Sequence, residues 1–175
     1  MNKDRRATLA NLDLDASRAA LEAAADAARA AWPEDAVGFG ATLASLVART
    51  EAALVPFFDE EDQIEGLKSA IEEVRNEEQE AYDNLPEAFQ QGQRGSSMEE
   101  AMGYLDDATG SLDEAVSYAH EAREVLDGLA KAHEAAAPFD DEKIEEARTM
   151  LFDALGAAVD AVTEARDAVD NAQSV

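Results

Sequence analysis

Residues 97–134 read "SMEEAMGYLDDATGSLDEAVSYAHEAREVLDGLAKAHE". Leu105, Leu112, Ala119, Leu126 and His133 stand seven apart, and Ala101, Ala108, Ala115, Ala122 and Leu129 form a companion row. Apolar residues on two rows of a seven-residue repeat mark a helix that packs lengthwise against other helices. Ser97 followed by Glu100 has the form of a capping box and predicts the start. Such a helix would be roughly 57 Å long at about 1.5 Å per residue.

The flanking segments carry the same rhythm. Upstream, "DEEDQIEGLKSAIEEVRNEEQEAYDN" (59–84) opens with acids suited to a helix N-terminus and places Ile64, Leu67, Ile71 and Val74 on one face. Asn84, Leu85 and Pro86 predict its end. Downstream of "APFDDEK", Ile144, Leu151, Ala158, Ala165 and Ala172 make one row, and Leu155, Val162 and Val169 a neighbouring one. Short connectors around Gly92–Ser97 and Pro138–Asp141 favour antiparallel neighbours, and seams rich in Ala allow close backbone approach. No stretch alternates with the period of two that a strand requires. The expected fold class is all-α: an elongated antiparallel helical bundle or coiled coil of three long helices, plus an N-terminal helical hairpin.

That hairpin is read from residues 1–58. "DASRAALEAAADAARAAW" has plausible caps at Asp15 or Ser17 and is stopped by Pro33. "DAVGFGATLASLVARTEAALVPFF" puts Phe39, Leu43, Leu46, Val47, Leu54 and Val55 at helical spacing and ends near Pro56. Charge draws the same boundary. Residues 1–58 hold 6 basic and 8 acidic side chains, net -2, whereas 59–175 hold 8 and 32, net -24. Two parts follow: a near-neutral apolar hairpin (1–58) and an acidic three-helix body (59–175). The hairpin is expected to pack on that body or on a second copy, which would make a homodimer.

A formal net charge of -26 excludes direct, sequence-independent binding of nucleic-acid phosphates, which needs Lys and Arg. It leaves adaptation to high salt, a highly soluble bundle, or a surface that imitates a polyanion and binds basic proteins. Acidity confined to one region weakens the first. Net -24 along roughly 57 Å is one charge per about 2.4 Å, against about 1.7 Å for B-DNA. The chain has no Cys, so disulfides and thiolate metal sites are out. "MNKDRRATLANLDLD" lacks the apolar core of a secretory signal, and "AALVPFF" is far too short for a membrane span. A soluble, cytoplasmic protein without membrane association is expected.

Catalytic and metal-binding patterns do not emerge. His120 and His133 lie outside any Glu-x-x-His arrangement. Adjacent carboxylates are too frequent for one pair to indicate acid–base work. "VGFGAT" lacks the third glycine and preceding strand of a phosphate loop, and "DDATGSLDE" lacks calcium-loop spacing. No enzyme activity, cofactor or metal is expected.

Residues 77–95, "EEQEAYDNLPEAFQQGQRG", interrupt the heptads. Tyr82, Leu85 and Phe89 could plug the bundle end, with Gly92 and Gly95 forming the turn and Arg94 on helix-end carbonyls. Alternatively, Tyr82, Phe89 and Arg94 form a docking patch of side-chain types common at binding hot spots. Acids off the seams, Glu72, Glu73, Glu99, Asp106, Asp113, Glu121 and Glu124, complete the partner-binding candidates. Residues 71–115, from "IEEVRNEEQEAYDNLPE" through "RG" into the acidic heptads, resemble a motif of small acidic helical proteins of phages, prophages and other mobile elements. The resemblance covers about a quarter of the chain, leaves out 1–58, and implies an accessory role with no catalytic residues. The expected function is binding of a basic protein or nucleic-acid-binding complex, in its specific form as a nucleic-acid mimic that inhibits a host defence nuclease complex. The alternatives are a coiled-coil scaffold whose acidity serves solubility, and a bundle holding a small ligand or metal.

Overall fold

The computed structural model describes residues 1–32, 43–134 and 141–175. All regular structure in them is helical: α1 (Lys3–Ala10), α2 (Leu14–Ala31), α3 (Leu43–Asp83), α4 (Glu87–Gln90), α5 (Gln93–Glu134) and α6 (Asp141–Ser174). The all-α class, the long helices and the N-terminal hairpin are as expected. Pro33, the glycines of "VGFGAT", Phe39, the Leu43 and His133 side chains and residues 138–140 of the expected Pro138–Asp141 connector lie outside the described residues.

Helix α1 is not anticipated by the heptads. Asn2 caps it, its side chain accepting from the Arg5 amide at 2.9 Å, and Leu9 is buried. For α2 the cap is Asp13, which accepts from the Ala16 amide at 3.1 Å, rather than Asp15 or Ser17. Both expected caps lie within the helix, and Ser17 is buried.

Two expected helix ends are displaced. The chain does not leave the helix near Pro56, because α3 runs through it for 41 residues. An interior proline removes one amide and costs a helix about 3 kcal/mol. Leu54 and Phe57, both fully buried, anchor the backbone on either side of it. The carbonyl left without its amide is that of exposed Ala52, within reach of water. The buried stripe then continues through Leu46, Thr50, Leu54, Phe57, Ile64, Ile71, Val74 and Glu78. Val55, expected at the seam, is turned about 100° from Leu54 and is 54 % exposed. The division at 58/59 thus falls inside α3.

Likewise α5 begins at Gln93, so Ser97 and Glu100 sit inside the helix rather than capping it. The corner before it is closed by Gln90, whose amide donates to the carbonyls of Tyr82 (3.1 Å) and Leu85 (3.0 Å). Phe89 plugs nothing; it is 57 % exposed. Arg94 makes no hydrogen bond to helix-end carbonyls among the described residues. Gly95 has a steric reason: a Cβ there would stand 2.7 Å from the Gln90 Cα.

Two compact units can be distinguished, residues 1–17, 62–114 and 161–175 in one and 18–61 and 115–160 in the other. The first has Leu9, Ile64, Ile71, Leu105, Leu112, Val162 and Val169 in its core. The second buries Leu21, Ala28, Trp32, Leu54, Phe57, Leu126, Leu151 and Leu155. Described members of both predicted α5 rows, and both α6 rows, are buried, with Leu67 of α3 half-buried. No helix among the described residues is long and apolar enough to cross a membrane.

Candidate partner-binding surfaces

In the first unit the edge between α3 and α5 is a ladder of polar pairs. Lys68 bonds Asp113 at 2.5 Å, Arg75 grips both oxygens of Asp106 at 2.9 and 3.3 Å, and the Tyr82 hydroxyl donates to Glu99 at 2.7 Å. Residue numbers rise by seven on α3 and fall by seven on α5, as antiparallel helices in heptad register require. The Asp113 hydrogen bond raises the Lys68 pKa above its ordinary 10.5, against partial desolvation. The Glu99 hydrogen bond raises that of Tyr82 above 10.0. Four candidates, Tyr82, Glu99, Asp106 and Asp113, are therefore engaged within the fold. Glu72 and Glu73 are exposed on α3.

The same unit contains the buried carboxylate of Glu78, 1 % exposed. Arg5 reaches it from α1 at 2.7 Å and Glu77 at 3.0 Å, while the Met1 ammonium lies 3.4 Å from its other oxygen. Burial alone would lower the Arg5 pKa; the two carboxylates outweigh it and raise it. A cavity of about 660 Å³ opens beside this cluster and includes Arg5, Arg6, Gln93 and Arg94 in its walls. Sequence reading missed Glu78 as a structural residue, although its place four after Val74 puts it on the buried stripe.

In the second unit, Glu61 faces Arg123 at 3.0 Å and His120 at 3.7 Å, and Arg123 lies over the Phe58 ring, 4.5 Å from its centre. A separate groove of about 720 Å³ runs between α5 and α6. Val125, Ala147, Met150 and Ala157 contribute apolar surface, Glu121, Glu124 and Asp153 contribute carboxylates, and Lys143 contributes a base. Met150 is 56 % exposed. The ten candidates therefore divide among the ladder, the α3–α5 corner with Phe89 and Arg94, exposed Glu72 and Glu73, and the groove with Glu121 and Glu124.

Chemically, these arrangements offer fixed charge and apolar contact. Among the described residues no group of three or more His, Cys, Asp or Glu is placed to hold a metal, and Glu78 is the one buried carboxylate. No protein-family model, no curated protein and no solved structure matches the chain.

Proposed function

We propose that the chain is a non-enzymatic acidic accessory protein of a phage or mobile element that works in the cytoplasm by binding a basic protein. In its specific form it occupies the nucleic-acid groove of a host defence nuclease complex. The observation that carries this reading is the imbalance of 40 acids to 14 bases, with the described acids other than Glu78 outside the core. Arg5, Arg18, Arg29, Lys68, Arg75, Arg123, Arg148 and Arg166 are paired to carboxylates, so the excess of acids over bases leaves a net negative field. The resemblance of residues 71–115 supports the mobile-element setting.

Capture of partners from host lysate at about 50 and 200 mM salt tests it, since the Debye length falls from roughly 14 to 7 Å. A basic partner captured at low salt, released at higher salt and displaced from its DNA or RNA is the expected result. Capture unaffected by salt, or a ternary complex with nucleic acid, overturns the mimic. A coiled-coil scaffold is the second reading. It is favoured by one observation: Glu99, Asp106 and Asp113 serve the α3–α5 edge instead of facing outward unpaired.

A further inference from the structure

We infer that the groove between α5 and α6 in the second unit seats one amphipathic helix of the basic partner. Its apolar face would lie on Val125 and Met150, with Lys or Arg flanks against Glu121, Glu124 and Asp153. The inference deepens the proposed binding of a basic protein and rests on that reading.

Charge and shape jointly select this occupant. The groove has a volume of about 720 Å³. Glu121 and Glu124, three apart on α5, share one helix face, and Asp153 stands three residues after Met150 on α6. Three carboxylates thus border the apolar surface from both helices against one base, Lys143, and this negative balance disfavours an acidic or wholly apolar segment and favours a basic one. From Tyr118 to Leu129 the α5 wall rises roughly 16 Å, enough for about three turns of a docked helix. That length accommodates anchors at i, i+3 or i+4, and i+7. Met150 suits such a floor because an unbranched thioether adapts to the knobs pressed on it. Gly128 lies in the same wall, and a Cβ there would meet nothing within 4 Å, so the backbone of α5 is open to close approach.

The test uses the full chain and three synthetic peptides of one length. The first has Leu at helical spacing and Lys flanks, the second scrambles that composition to remove the apolar face, and the third replaces Lys by Glu. Fluorescence anisotropy gives affinity, and the methyl resonance of Met150 reports the place of binding. The first peptide should bind at least tenfold tighter than the other two and shift the Met150 methyl. Met150→Glu should abolish that preference, while Glu121→Gln with Glu124→Gln should weaken binding severalfold and flatten its salt dependence. Circular dichroism of each variant should match the parent, as all three positions are solvent-accessible. Equal binding of the scrambled peptide overturns the groove and leaves the general field intact. Failure of every basic peptide at low salt removes the basic-partner reading itself. A protein that sediments as a dimer until Met150→Glu separates it shows a second copy as the occupant and overturns the inference too.

Discussion

The two units use the same residue types in opposite ways. Along the α3–α5 edge of the first, acids seven apart meet Lys68, Arg75 and Tyr82 and are neutralised or hydrogen-bonded. Beside the α5–α6 groove of the second, Glu121, Glu124 and Asp153 border Met150 and Val125. Nothing in an isolated "DD" or "EE" distinguishes these fates. What stands across the seam does. An acid opposite a base in register closes a fold, and an acid beside uncovered apolar surface remains available for recognition.

The largest effect should come from breaking the core beneath the ladder. Leu112→Asp places a charge where the side chain is wholly buried, and should lower unfolding free energy by several kcal/mol. Urea denaturation checks it, and an unchanged midpoint would mean that the ladder, not the seam, holds α5. Next is Glu78→Ala, which leaves Arg5, itself 14 % exposed, with Glu77 as its remaining carboxylate beside an emptied buried site and the Met1 ammonium without its partner. A loss of about 3 kcal/mol is expected, near the lower end for removing one partner of a buried pair.

Two glycines sharpen the contrast further. Gly95→Ala in the first unit should cost about 1–3 kcal/mol, because the new Cβ meets Gln90 backbone. Gly128→Ala in the second should stabilise by roughly 0.5–1 kcal/mol, since helix propensity improves and nothing obstructs the methyl. Paired thermal melts compare them directly; shifts of the same sign would refute the close packing of the corner.

The smallest effect belongs to the ladder's own rungs. Exposed pairs contribute about 0–1 kcal/mol each, so a Lys68/Asp113 double-mutant cycle should fall in that range. Their pH dependence has a definite sign. Lys68 and Tyr82 both have folded pKa values raised above the unfolded ones, so each favours its protonated form in the fold. Their contribution is complete below about pH 10 and is lost as pH rises through the raised values. A Lys68→Gln, Tyr82→Phe variant should therefore lose less stability than the parent between pH 9 and 11.5. An identical alkaline decline in both would show that the rungs contribute nothing.

Much of the helical pattern was legible because the seams repeat. Leu105 to Leu126 and Ala101 to Leu129 fall where a period of seven puts them, and all are buried. What was not legible depends on contacts across helices. Pro56 carries a local penalty, but Leu54 and Phe57 hold the helix through it, and no local pattern weighs those against each other. Ser97–Glu100 has the form of a cap, yet the helix begins at Gln93 where Gln90 closes the preceding corner. The heptad spacing of Lys68, Arg75 and Tyr82 was visible, whereas their partners required the α3–α5 register. The groove was half visible: Glu121 and Glu124 were candidates by charge, but Met150 and Asp153 join them only once α6 is in place.

Glu78 has one more consequence. Seams of Leu and Ala that recur every seven residues are nearly degenerate, since a helix displaced by one heptad presents much the same face. A carboxylate on the buried stripe is not degenerate. If α3 shifted by seven against α1, Glu78 would leave Arg5 and enter an apolar contact, while Ile71 met the guanidinium instead. Glu78 thus acts as the key in a keyway, admitting one alignment of an otherwise repetitive lock. A Glu78→Leu chain should keep its helix content but show broadened or doubled resonances for Leu9 and Ile71, the mark of helices that have lost their stop.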